Sequence, residues 1–364
     1  MSTTTITTPS VEQSSTPTVE STTTSSSSVE VSKPSVEDSS STSIEDSSTT
    51  VESTTTSSSS VEVSTPSVED SSIPSVEDSS TPSVSLEYAP VFSSDNKTVQ
   101  YGYYPQSYVS DANLVNTLNA LEKSNVNNWT LYEGSYYVKE VAKVYNNESY
   151  TFDDGTAIVN GNEYWFKCEE IVWNVLSNDN GTYSLVSSKL LDTYSYYNSY
   201  SNRTIDNSIV YANNYKHSDI RTWLNNDFAS KAFALDNSYL SLLTVNNEAN
   251  TTASLTNKYA CDNTSDYVTL LTYQDYLNAS YGFDVNSGEQ SKTRECKTTD
   301  YARAKGAWYN TNTNYLYNGT YWTRTPSDKY YYCAYNVNSS GYLSNYTVDG
   351  DSHCVRPSIS IIVK

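Results

Sequence analysis

Basic side chains are outnumbered two to one: 21 Lys and Arg stand against 42 Asp and Glu, for a net charge of −21. A chain this short of cations lacks the clustered Lys and Arg that phosphate recognition needs, which excludes nucleic acid as a partner. The same deficit disfavours docking on an anionic membrane surface. No apolar run reaches about 18 residues, so no transmembrane helix and no membrane insertion is expected. Glycine occurs only 11 times and never as G-x-G-x-x-G, which leaves no phosphate-cradling loop. Two histidines and five cysteines, without a C-x2-C pair, are too little for a zinc or His-based metal centre. H-E-x-x-H and G-x-S-x-G are missing too. The expectation is no metal, no cofactor and no recognisable catalytic residue.

What is abundant is tyrosine, 35 residues, and none of it lies before residue 88. Residues 1–85 contain no Tyr, Trp, Phe, Gly, Asn or Cys and consist mainly of Ser, Thr, Val, Glu and Pro. They carry 13 acids and one base (Lys33), a charge of −12, which leaves −9 for the rest. Residues 18–40 recur at 50–72 with a single change, Lys33 for Thr65. Isolated valines among Ser and Thr cannot bury enough apolar area to offset ordering entropy, and repeated Pro blocks regular structure. The segment reads as a disordered, extended Ser/Thr/Pro/Glu-rich stalk of the kind often O-glycosylated. An unmodified acidic linker grown by repeat expansion is the blander alternative.

Residues 86–364 read as one globular α+β domain. Leu114, Leu118 and Leu121 fall at helical spacing after a cap at Ser110 or Asp111. Ser218 caps a second helix whose stripe is Ile220, Trp223, Leu224 and Phe228, and which is expected to bury Trp223 as a core anchor. Thr272 and Thr299 cap two short helices. Strands are expected at 100–104 (ending at Pro105), 136–145 and 157–168. A hairpin about the Asn-Asp-Asn-Gly turn at 178–181 follows, and a cluster of strands closes the chain at 321–324, 331–337, 342–348 and 355–363.

Several segments then form a series: Gly102-Tyr103-Tyr104-Pro105-Gln106, Trp173-Asn174-Val175-Leu176, and Ser218-Asp219-Ile220-Arg221-Thr222-Trp223-Leu224-Asn225. The series continues with Tyr301-Ala302, Trp322-Thr323-Arg324-Thr325-Pro326 and Val355-Arg356-Pro357. Their order and spacing over residues 99–363 resemble the family catalogued as domain of unknown function 6273, common in bacterial surface and secreted proteins. Cys354 stands where that family usually has Gly, which suggests that Cys354 has acquired a partner. The C-terminal pattern also resembles, more loosely, the C-type-lectin-like fold and its formylglycine-generating branch. That resemblance implies a mixed domain with C-terminal antiparallel strands. The oxidase chemistry of the branch would need Cys-x4-Cys, but Asn338 stands where the second thiol belongs after Cys333.

The candidate sites follow. Cys333 and Cys354, on the presumed last strands, are a candidate disulfide, and Cys261 with Cys296 a second. Five unpaired thiols is the alternative. Trp173, Arg221, Trp223, Arg324 and Arg356 belong to the family motifs. Their guanidinium groups either grip a ligand carboxylate or hold buried carbonyls between strands. Tyr194, Tyr196, Tyr197 and Tyr200, with Tyr330, Tyr331 and Trp322, are the candidate ligand contacts, because Tyr among Asn and Ser makes adaptable binding surfaces and suits sugar rings. Packing, or a Tyr-rich genome, accounts for them equally well. The E-P-N or Q-P-D and W-N-D signatures of calcium-dependent sugar-binding lectins are absent. Eleven N-x-S/T sequons occur where composition alone gives roughly seven.

The expected function is a non-catalytic extracellular or cell-surface module on a flexible stalk, binding a glycan or a protein. An enzyme with an unrecognised site and a structural surface protein without a discrete ligand are the alternatives. The first residues, MSTTTITTPS, carry no basic n-region and no apolar h-region. Either the N-terminus is longer, export is non-standard, or the protein is intracellular.

Overall fold

Asn180 and Gly181 both take positive φ, 52° and 89°, in the computed structural model, which describes residues 88–363. Two left-handed residues make the tight turn whose twist matches paired strands. They join the 17-residue strand Glu163–Asp179 to Thr182–Ser187. The expected stalk at 1–85 lies outside the described residues.

The long strand organises the larger sheet. Its first half pairs with Ser135–Val141, its second half with Thr182–Ser187, and its length with Thr98–Tyr108, all antiparallel. Ser358–Ile362 then pairs with Thr182–Ser187 on one side and with the short strand Val268–Thr269 on the other. A second, mixed sheet has the order Leu343–Thr347, Cys333–Val337, Tyr321–Pro326, Cys354–Val355, Asp192–Thr193. Its Tyr321–Cys354 contact is parallel and its other pairings are antiparallel. The domain is α+β.

Helices cover the larger sheet. Ala112–Ala120 starts at Asp111, whose carboxylate accepts the N–H groups of Asn113 and Leu114. Asp219–Trp223 starts at Ser218, whose hydroxyl accepts from Arg221 N–H. It runs through a π-turn, Leu224–Phe228, into Ala229–Ala232. Ile220, Leu224, Phe228 and Ala232 of this stripe are buried. Tyr104 packs on Phe228 (4.9 Å between centroids), and Trp173 and Tyr101 pack on Phe233. Trp223 departs from the expected stripe: it is half-buried, at the edge of the core, stacked on Tyr194 at 4.9 Å and 17°. A 3.6-residue period carries position 223 round the side of a stripe centred on 220, 224 and 228.

The family motifs resolve into braces. Asn225 holds the Val268–Thr269 strand to the helix: its Oδ1 accepts from the N–H groups of Tyr267 and Val268, and its Nδ2 donates to Val268 O. Arg221 pairs with the buried Asp266 at 2.6 Å and donates to Lys216 O. Arg324 donates to the carbonyls of Leu270 and Asn246, and Arg356 to Ser187 O and the Tyr321 hydroxyl. Trp173 Nε1 donates to Tyr101 O at 2.8 Å.

The expected disulfides are not formed: all five cysteines are free. Cys333 and Cys354 share a sheet, but the strand Tyr321–Pro326 lies between theirs. Two strand spacings, about 9.5 Å, exceed the roughly 7 Å limit for a bridge, before adding the offset along the strands. Cys354 has acquired packing instead of a partner: a Cβ added at Gly319 would lie 2.8 Å from its sulfur. The thiol fills the space that Gly319 leaves open.

Candidate functional site

Cross-strand pairing assembles the site. Trp322, Asn336 and Ser344 are directly opposite one another on three adjacent strands of the mixed sheet, so their side chains share a face. Tyr346, two residues beyond Ser344, lies on the same face. His353, just before the Cys354–Val355 strand, is sandwiched on this face. Its ring stacks on Trp322 at 4.2 Å and 19° and lies 4.7 Å from Tyr346.

A groove of about 270 Å³ opens over this row. Tyr145, Trp308 and Tyr346 supply its aromatic surface, and Asn336, Asn338 and Asn345 its amides. Thr320, Ser344 and Ser352 add hydroxyls, and His353 lies at its base. No charged side chain lines it.

The polar groups at the base are incompletely used. Asn336 Nδ2 donates to His353 Nε2 at 2.9 Å, which places the imidazole proton on Nδ1. His353 Nδ1 and Asn336 Oδ1, both buried, have no hydrogen-bond partner among the described residues. Burial pushes the His353 pKa down to about 3, so the ring is neutral at any ordinary pH. A neutral imidazole and three amides donate and accept hydrogen bonds without presenting charge. Such a surface suits a ligand rich in hydroxyl groups and poor in charge.

The tyrosines singled out by sequence divide into core and surface. Tyr196 and Trp322 are fully buried. Tyr196 packs edge-on against Trp322 and its hydroxyl donates to Arg324 O at 2.9 Å, while Trp322 Nε1 donates to Tyr194 O. Both are packing residues, and Trp322 reaches the groove only through His353. Tyr197 is half-buried beneath the Arg203 guanidinium, 3.9 Å from its ring centre. Tyr200, Tyr330 and Tyr331 are exposed, at 61%, 46% and 36%. Asn213 brings the two tyrosine segments together: its N–H donates to Tyr331 O, its side chain donates to the carbonyls of Tyr330 and Cys333, and its carbonyl accepts from the Tyr196 hydroxyl. Tyr331 lies near Tyr211 (6.3 Å) and Tyr332 (5.0 Å), making an aromatic surface distinct from the groove.

Trp308, Tyr346 and Asn336 were not singled out by sequence reasoning, and His353, which the sequence suggested as an ordinary surface histidine, is buried. The legible trace was a second tryptophan, Trp308, 14 residues before the motif Trp322.

Elsewhere the chemistry is muted. Burial raises the pKa of all five thiols, Cys333 to about 11, so none is a ready thiolate. Among the described residues no group of three or more His, Cys, Asp or Glu side chains is placed to hold a metal ion, and no helix is long and apolar enough to cross a membrane. A larger hollow of about 510 Å³ lies over the G-x-Y-P-Q segment. Its carboxylates are already engaged, Glu170 by the Tyr103 hydroxyl and Glu169 by Ser107.

No curated protein and no solved structure matches the chain. The family profile described as a domain of unknown function, DUF6273, matches residues 180–363. That span holds the four later motifs and both edges of the mixed sheet, and it stops short of the Gly102 and Trp173 segments included in the broader resemblance. With half its length in that match, this chain belongs to the DUF6273 family.

Proposed function

We propose that this chain is a non-catalytic binding module, with C-type-lectin-like architecture, whose groove between Trp308, Tyr346 and His353 takes a neutral glycan. The observation that carries the reading is a groove lined by aromatic rings, amides, hydroxyls and a neutral imidazole, with no charged side chain. Aromatic faces stack against the apolar side of a sugar ring while the amides bond its hydroxyls. The uncharged lining and the net charge of −21 both disfavour anionic sugars. The module is carried by the Ser/Thr/Pro-rich segment 1–85 and displayed outside the cell or at its surface, where several weak sites acting together raise avidity.

The test is a glycan array with the purified chain. Neutral glycans bind, binding persists in a chelator, and Trp308→Ala and Tyr346→Ala each weaken it about fivefold, as expected for roughly 1 kcal/mol per stacked ring. Binding unaffected by either substitution, or confined to anionic glycans, would sink the reading. Turnover of a bound sugar would favour an enzyme instead.

A second reading has its own observation. Tyr211, Tyr330 and Tyr331 form an accessible aromatic surface away from the groove, which is the composition of a protein-contacting patch. Loss of a protein partner on Tyr331→Ala, with glycan binding intact, would assign that face.

A further inference from the structure

The Ser218–Asn225 motif also faces outward at one point. Trp223, with Tyr194 stacked on it, walls a hollow of about 460 Å³. Thr222, Ser195 and Asn198 border it, as do the carboxylates of Asp219 and Asp227. Asp219 Oδ2 accepts one backbone N–H, that of Asn198, and Asp227 is exposed. The two lysines at the rim are already paired, Lys143 with Asp351 and Lys305 with Glu140. Neither Asp219 nor Asp227 has a cationic partner among the described residues. The hollow thus offers aromatic surface beside free hydrogen-bond acceptors.

This hollow and the groove share a wall. Asp351 lines the hollow, while Ser352 and His353 line the groove. On the facing segment Lys143 lines the hollow and Tyr145 the groove. Thr193 fixes the common segment by donating to Asp351 O, and Trp322 ties the two sides by donating to Tyr194 O while stacking on His353. The ridge above the wall is the Lys143–Asp351 ion pair, 2.9 Å long and exposed on both sides, at 72% and 66%. Ion pairs this open to water hold little and yield readily. Two residues of extended chain span roughly 7 Å, so the two depressions are within reach of one short linear ligand.

We infer that the hollow at Trp223 and the groove at Trp308 are two subsites of one extended site, and that the ligand is a neutral oligosaccharide crossing the Lys143–Asp351 ridge. This inference rests on the glycan-binding reading above. The groove takes one end of the oligosaccharide. Further along, rings lie against the Tyr194–Trp223 pair, and their hydroxyls donate to Asp219 and Asp227. Carboxylates accept hydrogen bonds and repel anions, so the second subsite keeps the preference for uncharged sugars set by the first.

Calorimetry on the full chain with neutral β-linked glucose, N-acetylglucosamine and mannose oligomers, each from two to six units, tests this. Affinity rises on the order of tenfold from the two-unit to the five-unit oligomer of the series that binds, then levels off. Trp223→Ala brings the long oligomers down towards the affinity of the short ones, and Trp223→Phe restores much of the gain. Asp227→Asn, at an exposed position where packing is not at stake, lowers the gain in part. Trp308→Ala weakens every length. Binding that is equal at all lengths, or a length gain untouched by Trp223→Ala and Asp227→Asn, overturns the extended site while leaving the groove. If no oligomer of any length binds, the groove and its extension both fall.

Discussion

His353 sets a pH limit for this domain. Burial holds its folded-state pKa at about 3, while an unfolded chain protonates histidine near pH 6.5. Its neutral, buried form therefore contributes in full above about pH 6.5. As pH falls from there towards 3, the unfolded state takes up a proton that the folded state refuses, and stability drops by up to about 1.4 kcal/mol per pH unit. Urea unfolding at pH 7, 5.5 and 4.5 should show a steeper acid loss for the wild type than for His353→Phe, which keeps a ring on Trp322. Parallel slopes would show that His353 does not titrate on unfolding. Single residues also explain why the site was poorly legible. Runs such as Tyr194–Tyr200 attract attention by composition, yet burial depends on pairing partners that composition does not reveal, so Tyr196 and Trp322 are core. The groove is built from residues 145, 308, 336, 346 and 353, whose neighbourhood exists only once the mixed sheet is ordered. The sequons are similar: Asn96, Asn128, Asn147 and Asn180 all sit at φ between 52° and 56°. Asn tolerates that left-handed turn conformation better than most residues, which accounts for them without a glycan. Asn318 is buried and bonded to Glu295 and Ser339.

At the scale of elements, local signals were read well and interruptions were over-read. Ser218, Thr299 and Asp111 cap helices as their sequences indicate, and the 178–181 turn makes the hairpin. Pro105 was expected to end its strand, but the strand continues to Tyr108 with a register shift between Pro105 and Ser107 that absorbs the missing N–H. One strand was expected at 157–168, apart from the hairpin strand before the 178–181 turn, but a single strand, Glu163–Asp179, runs through Glu169 and Glu170. The two carboxylates are accommodated there by hydroxyl partners on the neighbouring strand, Glu170 by Tyr103 and Glu169 by Ser107. Strand and helix approach closely at Gly102, with φ at 72°, where a Cβ would meet Ala232 O at 2.7 Å. Gly102→Ala should therefore cost about 3 kcal/mol or more, combining left-handed strain with displacement of the helix end. Gly134 has a similar φ and nothing within 4 Å, so Gly134→Ala isolates the strain alone and should cost about 1 kcal/mol. Equal losses in denaturant midpoint for the two would remove the close-packing account of the G-x-Y-P-Q motif.

For the molecule as a whole, cohesion comes from two sheets and an aromatic core without covalent crosslinks. Thermal unfolding should be the same with and without reductant, and alkylation of the denatured, unreduced protein should modify all five cysteines. A mass consistent with three or fewer modified thiols would mean that a bridge forms, and would reopen the pairing that the strand order argues against.

The order in which the strands are laid down has a consequence for timing. Cys354–Val355 completes the mixed sheet and Ser358–Ile362 fills the gap between Thr182–Ser187 and Val268–Thr269, with Arg356 tied to Ser187 between them. Neither sheet closes until residues 354–362 have been made, because they join strands laid down far earlier in the sequence. At about 5–20 residues per second, Thr182–Ser187 waits on the order of ten seconds or more for the strand that pairs with it across the larger sheet. Removing residues 354–362 would therefore open both sheets at once.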